Sequence, residues 1–304
     1  DEVTGVETLR FSDGDISVVT QTDGQIMLLG SDNTNDLVDI DGSVGVVLDG
    51  KGGDDSLSGG EGDDTIIGGS GYDTVSYSEE VGAMSVDLES GVARGEKSGV
   101  DSLVGVEKFI AGSGPDMING SESVDNINAG RGDDTITGGM GDDTITGGEG
   151  SDTVVFAGNK GDFTFEVAAD GTLTVTDLNT MTALGVDTIT GVETLSFDDG
   201  DLTVTTAEDG YVTLTGTDAD DDVTVVGATA VTLQGVMGSD TLTGGDGADT
   251  IVGAEGDDVL EGGMGSDEII AGSGDDVVDG GMDDDTITGG YGDDTIEGGY
   301  GQDT

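Results

Sequence analysis

Aspartates stand nine residues apart over long stretches of this chain, each preceded by a glycine-rich turn and followed at once by a short apolar phrase. The unit is Gly-Gly-x-Gly-x-Asp-x-U-x with U aliphatic, as in Gly138-Gly139-Met140-Gly141-Asp142-Asp143-Thr144-Ile145-Thr146, followed directly by Gly147-Gly148-Glu149-Gly150-Ser151-Asp152-Thr153-Val154-Val155. Each copy offers backbone carbonyls on a glycine turn and one fixed carboxylate, an oxygen-only donor set suited to a hard cation such as calcium. Each also offers a single aliphatic residue to bury. Such copies in tandem predict a solenoid built on calcium, with many ions per chain.

Three runs carry the unit. The first spans Gly50 to Ser76 with Asp55, Asp64 and Asp73, and the second spans Ala111 to Val155 with Asp116, Asp125, Asp134, Asp143 and Asp152. The third starts at Gly235 and keeps register to the last residue through Asp240, Asp249, Asp258, Asp267, Asp276, Asp285, Asp294 and Asp303. Some copies depart from the pattern and are expected to be weaker sites: Lys51 replaces the second glycine before Asp55, and Ser123 and Asp283 replace the third before Asp125 and Asp285. Pro115 fills a variable turn position and is expected to be tolerated. The aspartate before the motif residue, as in Asp133, Asp142, Asp257 and Asp293, is expected to face solvent.

Composition narrows the function classes. Seven Lys and Arg against 67 Asp and Glu give a net charge of −60, with no basic residue after Lys160. With 60 glycines in 304 residues and 4% aromatics, a metal-free chain is expected to be disordered, because little apolar burial offsets its chain entropy. The in-phase aliphatics Leu242, Ile251, Leu260, Ile269, Val278, Ile287 and Ile296 argue for stacking once the charge is neutralised. Nucleic acid is excluded as a partner, since phosphate binding needs a basic surface. Absence of cysteine and histidine excludes disulfides, thiolate sites and the commonest zinc ligand and general base. No apolar stretch reaches the roughly 20 residues of a membrane span, and no basic-then-apolar leader opens the chain. Because the chain opens inside a strand-like phrase and stops inside a repeat, it is expected to be part of something longer.

Between the runs, apolar residues alternate at strand period. Phe163, Phe165 and Val167, then Asp170-Gly171, then Leu173 and Val175 predict a tight hairpin, and Leu202 and Val204 with Val212 and Leu214 predict another about Asp209-Gly210. The phrase from Gly5 to Asp15 returns from Gly191 to Asp201, an offset of 186 residues, and Asp23-Gly24 then matches Asp209-Gly210. The connector from Tyr77 to Ile110, where Met84, Val86 and Leu88 alternate, is expected to be strand-rich. The organisation expected is a β module over 1–49, a roll over 50–76, a β connector over 77–110, a roll over 111–155, a β module over 156–234 and a roll over 235–304.

The nonapeptide runs resemble the hemolysin-type calcium-binding repeat of the RTX family. That resemblance implies an all-β fold of calcium-bound parallel β-roll (β-solenoid) blocks, here alternating with antiparallel β-sandwich-like modules. It implies that two nonapeptides make one coil, so that Asp249 faces Asp267 across one ion and Asp258 faces Asp276 across another, with glycine-turn carbonyls completing the shell. It also implies folding coupled to calcium and type I secretion to the extracellular space or cell surface.

Catalytic motifs are absent: there is no Gly-x-Ser-x-Gly elbow and no phosphate-binding loop ending in Lys-Ser or Lys-Thr. Paired carboxylates of the glycosidase kind are swamped by periodic ones. Arg131-Gly132-Asp133 arises from the repeat itself, and Met264, Met282 and Tyr300 form an apolar stripe at 18-residue spacing. The expectation is therefore no enzyme, but an extracellular structural protein of the surface-layer, filament or large-adhesin kind. Its partners would be neighbouring copies of itself, with cell-surface polysaccharide a second candidate. The alternative is the calcium-dependent folding and secretion module of an exoenzyme or toxin, and a carbohydrate-binding module is a third reading.

Overall fold

The Asp-x-U-x half of each nonapeptide has strand period and its glycine half is a turn, so the chain folds as short strands joined by tight corners. The computed structural model describes residues 8–10, 15–20, 25–32, 34–40, 43–179 and 184–304. Among these the regular elements are strands, apart from one short 3-10 turn at Lys160–Asp162. Two compact units divide the chain, Asp1–Asp152 and Thr153–Thr304.

In the second unit, successive strands of the third run alternate between two parallel sheets. One sheet stacks Val231–Met237, Thr250–Glu255, Glu268–Ser273 and Thr286–Tyr291. The other stacks Asp222–Val226, Thr241–Gly245, Val259–Met264, Val277–Met282 and Thr295–Glu297. Within the run each strand pairs with the one 18 residues later, so Leu242, Leu260, Val278 and Ile296 lie in one line and Ile251, Ile269 and Ile287 in another. The two lines face inward as a core one residue thick as far as Val278, with Leu242, Ile251, Leu260, Ile269 and Val278 at most 1% exposed, while Ile287 is half-buried and Ile296 exposed. Each buried side chain contributes about 1.5–3 kcal/mol, which is modest beside the entropy of ordering nine residues. This is a parallel β-solenoid, as the repeat implies.

Both predicted hairpins form. Phe163–Val167 pairs antiparallel with Leu173–Asp177, and Gly200–Thr206 with Val212–Thr215. They do not stand apart as alternating sandwich-like modules. Phe163–Val167 lies parallel to Asp222–Val226, and Val212–Thr215 parallel to Val231–Met237, so each hairpin is spliced into one sheet of the roll. The reason is packing: Phe156, Phe163 and Phe165 gather on Phe197 with ring centroids 5.3–6.0 Å apart, adding an aromatic cluster to the apolar core of this stretch.

The first unit opens with an antiparallel meander of Thr8–Arg10, Asp15–Thr20 and Ile26–Leu29, followed by Val46–Gly52 in parallel. Thr194–Phe197, Gly200–Thr206, Val212–Thr215 and Val231–Met237 repeat that order, and Thr8 opposite Ser17 is matched by Thr194 opposite Thr203. The duplication is thus one of topology as well as sequence. Asp23-Gly24 and much of the phrase from Gly5 to Asp15 lie outside the described residues. The connector from Tyr77 is strand-rich: Ser85–Asp87, Val92–Gly95 and Gly99–Val104 form a meander inserted between Thr65–Ser70 and Met117–Ser121, burying Met84 and Val86 while Leu88 stays half-buried. Glu80 pins its base. Burial would raise that carboxyl, but backbone N–H groups of Ser98, Lys97, Gly82 and Val81 hold it below its usual range.

Candidate metal centre

The motif aspartates line the corners of the coils, and their two oxygens have different fates. Oδ1 keeps the register: Asp267 accepts the N–H of Asp249, Asp276 that of Asp258 and Asp285 that of Asp267, at 2.8–2.9 Å. Asp73 does the same for Asp55, Asp134 for Asp116, Asp143 for Asp125 and Asp152 for Asp134. Asp249 accepts from Val231, Asp258 from Asp240 and Asp240 from Asp221. The series reaches Asp294 and Asp303, whose bonds to Asp276 and Asp285 lengthen to 3.2 Å. Asp55 and Asp64 hold the N–H groups of Asp36 and Val46, and Asp116 that of Met84.

Oδ2 is the candidate ligand. In Asp55, Asp64, Asp73, Asp134, Asp240, Asp249, Asp258, Asp267, Asp276 and Asp285 it is buried with no hydrogen-bond partner. A buried oxygen of this kind is costly unless something satisfies it, and in the third run it recurs at every nonapeptide from Asp240 to Asp285. Its surroundings are oxygen-rich. A Cβ placed on Gly244 would lie 2.5 Å from Asp249 Oδ2 and 2.8 Å from the carbonyl of Gly262, and one on Gly280 would lie 2.6 Å from both Asp285 Oδ2 and the Gly298 carbonyl. The first glycine of the unit thus keeps a carboxylate oxygen and a carbonyl of the next coil converging over bare backbone. Copies headed by Ala111, Ala129 and Ala271 put a buried methyl there, leaving a narrower cradle.

Burial raises these carboxyls while the backbone hydrogen bond on Oδ1 works against it: Asp249 is pushed up to about 7, and Asp55, Asp64, Asp116, Asp134, Asp143, Asp240 and Asp267 to about 6. The next carboxylate along the edge adds repulsion, Asp267 on Asp249 and Asp276 on Asp258. The facing pairs expected from the resemblance are therefore electrostatic neighbours. Among the described residues no three carboxylates converge on one point, and the oxygens that approach the Oδ2 of Asp249 and Asp285 are backbone carbonyls. That donor set suits calcium, which accepts about 6–8 oxygens in flexible geometry.

The turns need positive φ at the second glycine position, and Lys51 at 75°, Val236 at 94° and Ala254 at 87° adopt it without being glycine, as does Asp283 at 80° in the third glycine position. Asp125 is different, since its Oδ2 accepts the N–H and hydroxyl of Ser121 at 2.7 and 2.9 Å. Asp133, Asp142, Asp257 and Asp293 are exposed, as expected. An outer ladder also forms, Asp133 accepting from Ser151, Asp257 from Asp275 and Asp275 from Asp293. Arg131 of the Arg-Gly-Asp phrase pairs with Glu149.

Four further buried aspartates lack the full repeat pattern: no complete glycine turn precedes Asp36, Asp101, Asp187 or Asp221. Their signal was the second half of the unit alone, Asp-x-aliphatic, with Val38, Leu103, Ile189 and Val223 buried two residues on.

A family model described as the RTX calcium-binding nonapeptide repeat (4 copies) matches residues 47–75, 101–136, 119–154, 234–269, 255–287 and 279–304, just over half of the chain. No curated protein matches it. Among solved structures, the chain is similar to the extracellular lipase LipA from Serratia marcescens at 25% identity, over 61% of this chain and 33% of that one, with a TM-score of 0.19. The match therefore spans about a third of the lipase.

Proposed function

The chain belongs to the RTX calcium-binding nonapeptide-repeat family, and from that premise we propose that it is an extracellular structural protein, of the surface-layer, filament or large-adhesin kind, whose coils fold and stiffen on calcium. The observation that carries the proposal is the row of buried, unpartnered Oδ2 atoms at 18-residue spacing along each edge. Calcium, when bound, supplies the positive charge and the open coordination that these oxygens and the turn carbonyls lack. The chain's own part is to hold each carboxylate by its Oδ1 bond, to keep glycine where carbonyls must approach, and to stack one aliphatic per nonapeptide. Sites from Asp55 to Asp73, Asp116 to Asp152 and Asp240 to Asp303 are the three binding blocks of this reading.

An architectural role is supported by the duplicated topology, which repeats meander, parallel strand and nonapeptide run in both units. Secretion fits the family and the charge, and no helix among the described residues is long and apolar enough to cross a membrane. The exposed stripe of Met264, Met282 and Tyr300, aligned strand to strand, offers a face to neighbouring copies.

Light scattering coupled to size exclusion, with calcium raised from chelated to about 10 mM, tests the proposal across the affinities expected of extracellular modules. Growth into ordered polymers is the expected result. Compaction to a smaller monomer without assembly would instead identify a folding and secretion module serving an exoenzyme or toxin activity.

A further inference from the structure

Lys160 is the last basic residue of the chain and is fully buried, at 0% exposure. Its backbone N–H donates to both oxygens of Asp199 at 3.0 and 3.2 Å, and its Nζ lies 3.2 Å from Asp199 Oδ1 and 3.0 Å from Asp221 Oδ1. The Asp221 contact is an ion pair without hydrogen-bond alignment. Gly200, at φ +126°, makes the room, since a Cβ there would stand 3.2 Å from Nζ.

Asp221 belongs to the roll. Its N–H donates to Asp240 Oδ1 at 2.9 Å, and Asp240, Asp258, Asp276 and Asp294 continue the same edge. Gly216 stands in its first glycine position, where a Cβ would crowd Asp221 Oδ2 and lie 3.0 Å from the Gly235 carbonyl. The oxygen cradle is thus the one seen in the copies that follow. What differs is the charge. Asp240, Asp258 and Asp276 have no cationic side chain in the sequence beyond them, whereas Asp221 has an ammonium beside one oxygen and Thr217 donating its N–H and hydroxyl, at 2.6 and 3.3 Å, to the other. An interruption in the first unit is closed by a similar device, for Asp101 holds the Asp64 N–H on Oδ1 and the Tyr77 hydroxyl on Oδ2, both at 2.7 Å.

The geometry points to Lys160 and Thr217 as a built-in cap at the head of this edge, the ammonium on Asp221 Oδ1 in place of the N–H that a preceding coil would donate and Thr217 on Oδ2 in place of a metal, so that the Asp221 coil is complete without calcium and gives later coils a preformed end to stack on. This inference rests on the calcium reading of the repeats. It predicts directional folding, with coils added from Asp221 toward Asp294 as calcium rises. Removing the ammonium would strand Asp199 and Asp221 as uncompensated charges, one of them wholly buried.

Two measurements on the full chain test it: amide exchange by mass spectrometry in chelator, and bound calcium counted by atomic emission after gel filtration at saturating calcium. In chelator the wild type should keep protection over Phe163–Val167, Thr194–Phe197 and Asp222–Val226 and lose it from Val259–Met264 onward. Lys160→Met should lose that residual protection while the bound-calcium count does not rise, because Thr217 still holds Asp221 Oδ2, whereas Lys160→Arg should match the wild type in both. The double variant Lys160→Met/Asp221→Asn, which removes the stranded buried charge, should regain protection over Asp222–Val226; if Lys160→Met alone does not fold, recovery of folding in the double variant supports the assignment and failure to recover overturns it. A wild type unprotected in chelator, or Lys160→Met with the wild-type protection, overturns this inference alone. A wild type that binds no calcium overturns the functional reading as well.

Discussion

Val236 holds a φ of 94° in a position where most copies place glycine. A β-branched residue there is strained on the order of 1–3 kcal/mol, and its half-buried side chain recovers only part of that. Val236→Gly should therefore raise the thermal midpoint of the calcium-loaded chain, by about 1 kcal/mol in net stability. An unchanged or lower midpoint would show that the Val236 side chain matters more than its backbone. Replacing Asp258 and Asp276 together with Asn keeps an oxygen for the N–H groups of Asp240 and Asp258 but removes two charges from one edge. Calcium affinity in the third block should fall about tenfold or more in a calorimetric titration, while Phe163 to Leu214 stays folded. Equal loss of both regions would mean that the hairpin segment depends on those sites.

At the scale of the element, an edge of stacked carboxylates links folding to pH. Burial lifts Asp249 to about 7 and Asp240 and Asp267 to about 6, above the ordinary 3.8, so a metal-free folded coil binds more protons than the unfolded chain between those limits. Its stability is then fullest below the ordinary carboxylate pKa and is lost as pH rises through 6 to 7. In chelator, β-structure measured by circular dichroism should increase from pH 8 to about 5. Overall charge repulsion relaxes in the same direction, so proton release supplies the specific readout. Calcium added near pH 6 should displace protons, seen as a titration heat that scales with buffer ionisation enthalpy. No buffer dependence at that pH would remove protonated aspartates from the account.

At the scale of the whole molecule, folding of the nonapeptide runs should be coupled to ion binding, because a core one residue thick cannot offset chain entropy and a net charge of −60 without counter-cations. Magnesium should not replace calcium, since its small octahedral shell fits a carbonyl-rich turn poorly; full circular dichroism recovery in magnesium alone would sink the ligand assignment. The sequence by itself determined the repeat, its register, the inward aliphatic line and the register-keeping aspartates of three runs, because each nonapeptide is a local unit whose strand and turn are written within nine residues. Both hairpins were legible for the same reason, as Asp170-Gly171 and Asp209-Gly210 set their turns locally. Only the tertiary structure decided that these hairpins join the roll's sheets, that Val236 and Ala254 take positive φ, that Asp221 continues an edge, and that Lys160 sits against it. Those facts depend on strand pairing and side-chain contacts between residues 18 to 61 positions apart, and periodicity specifies which coil stacks on which only where it is unbroken.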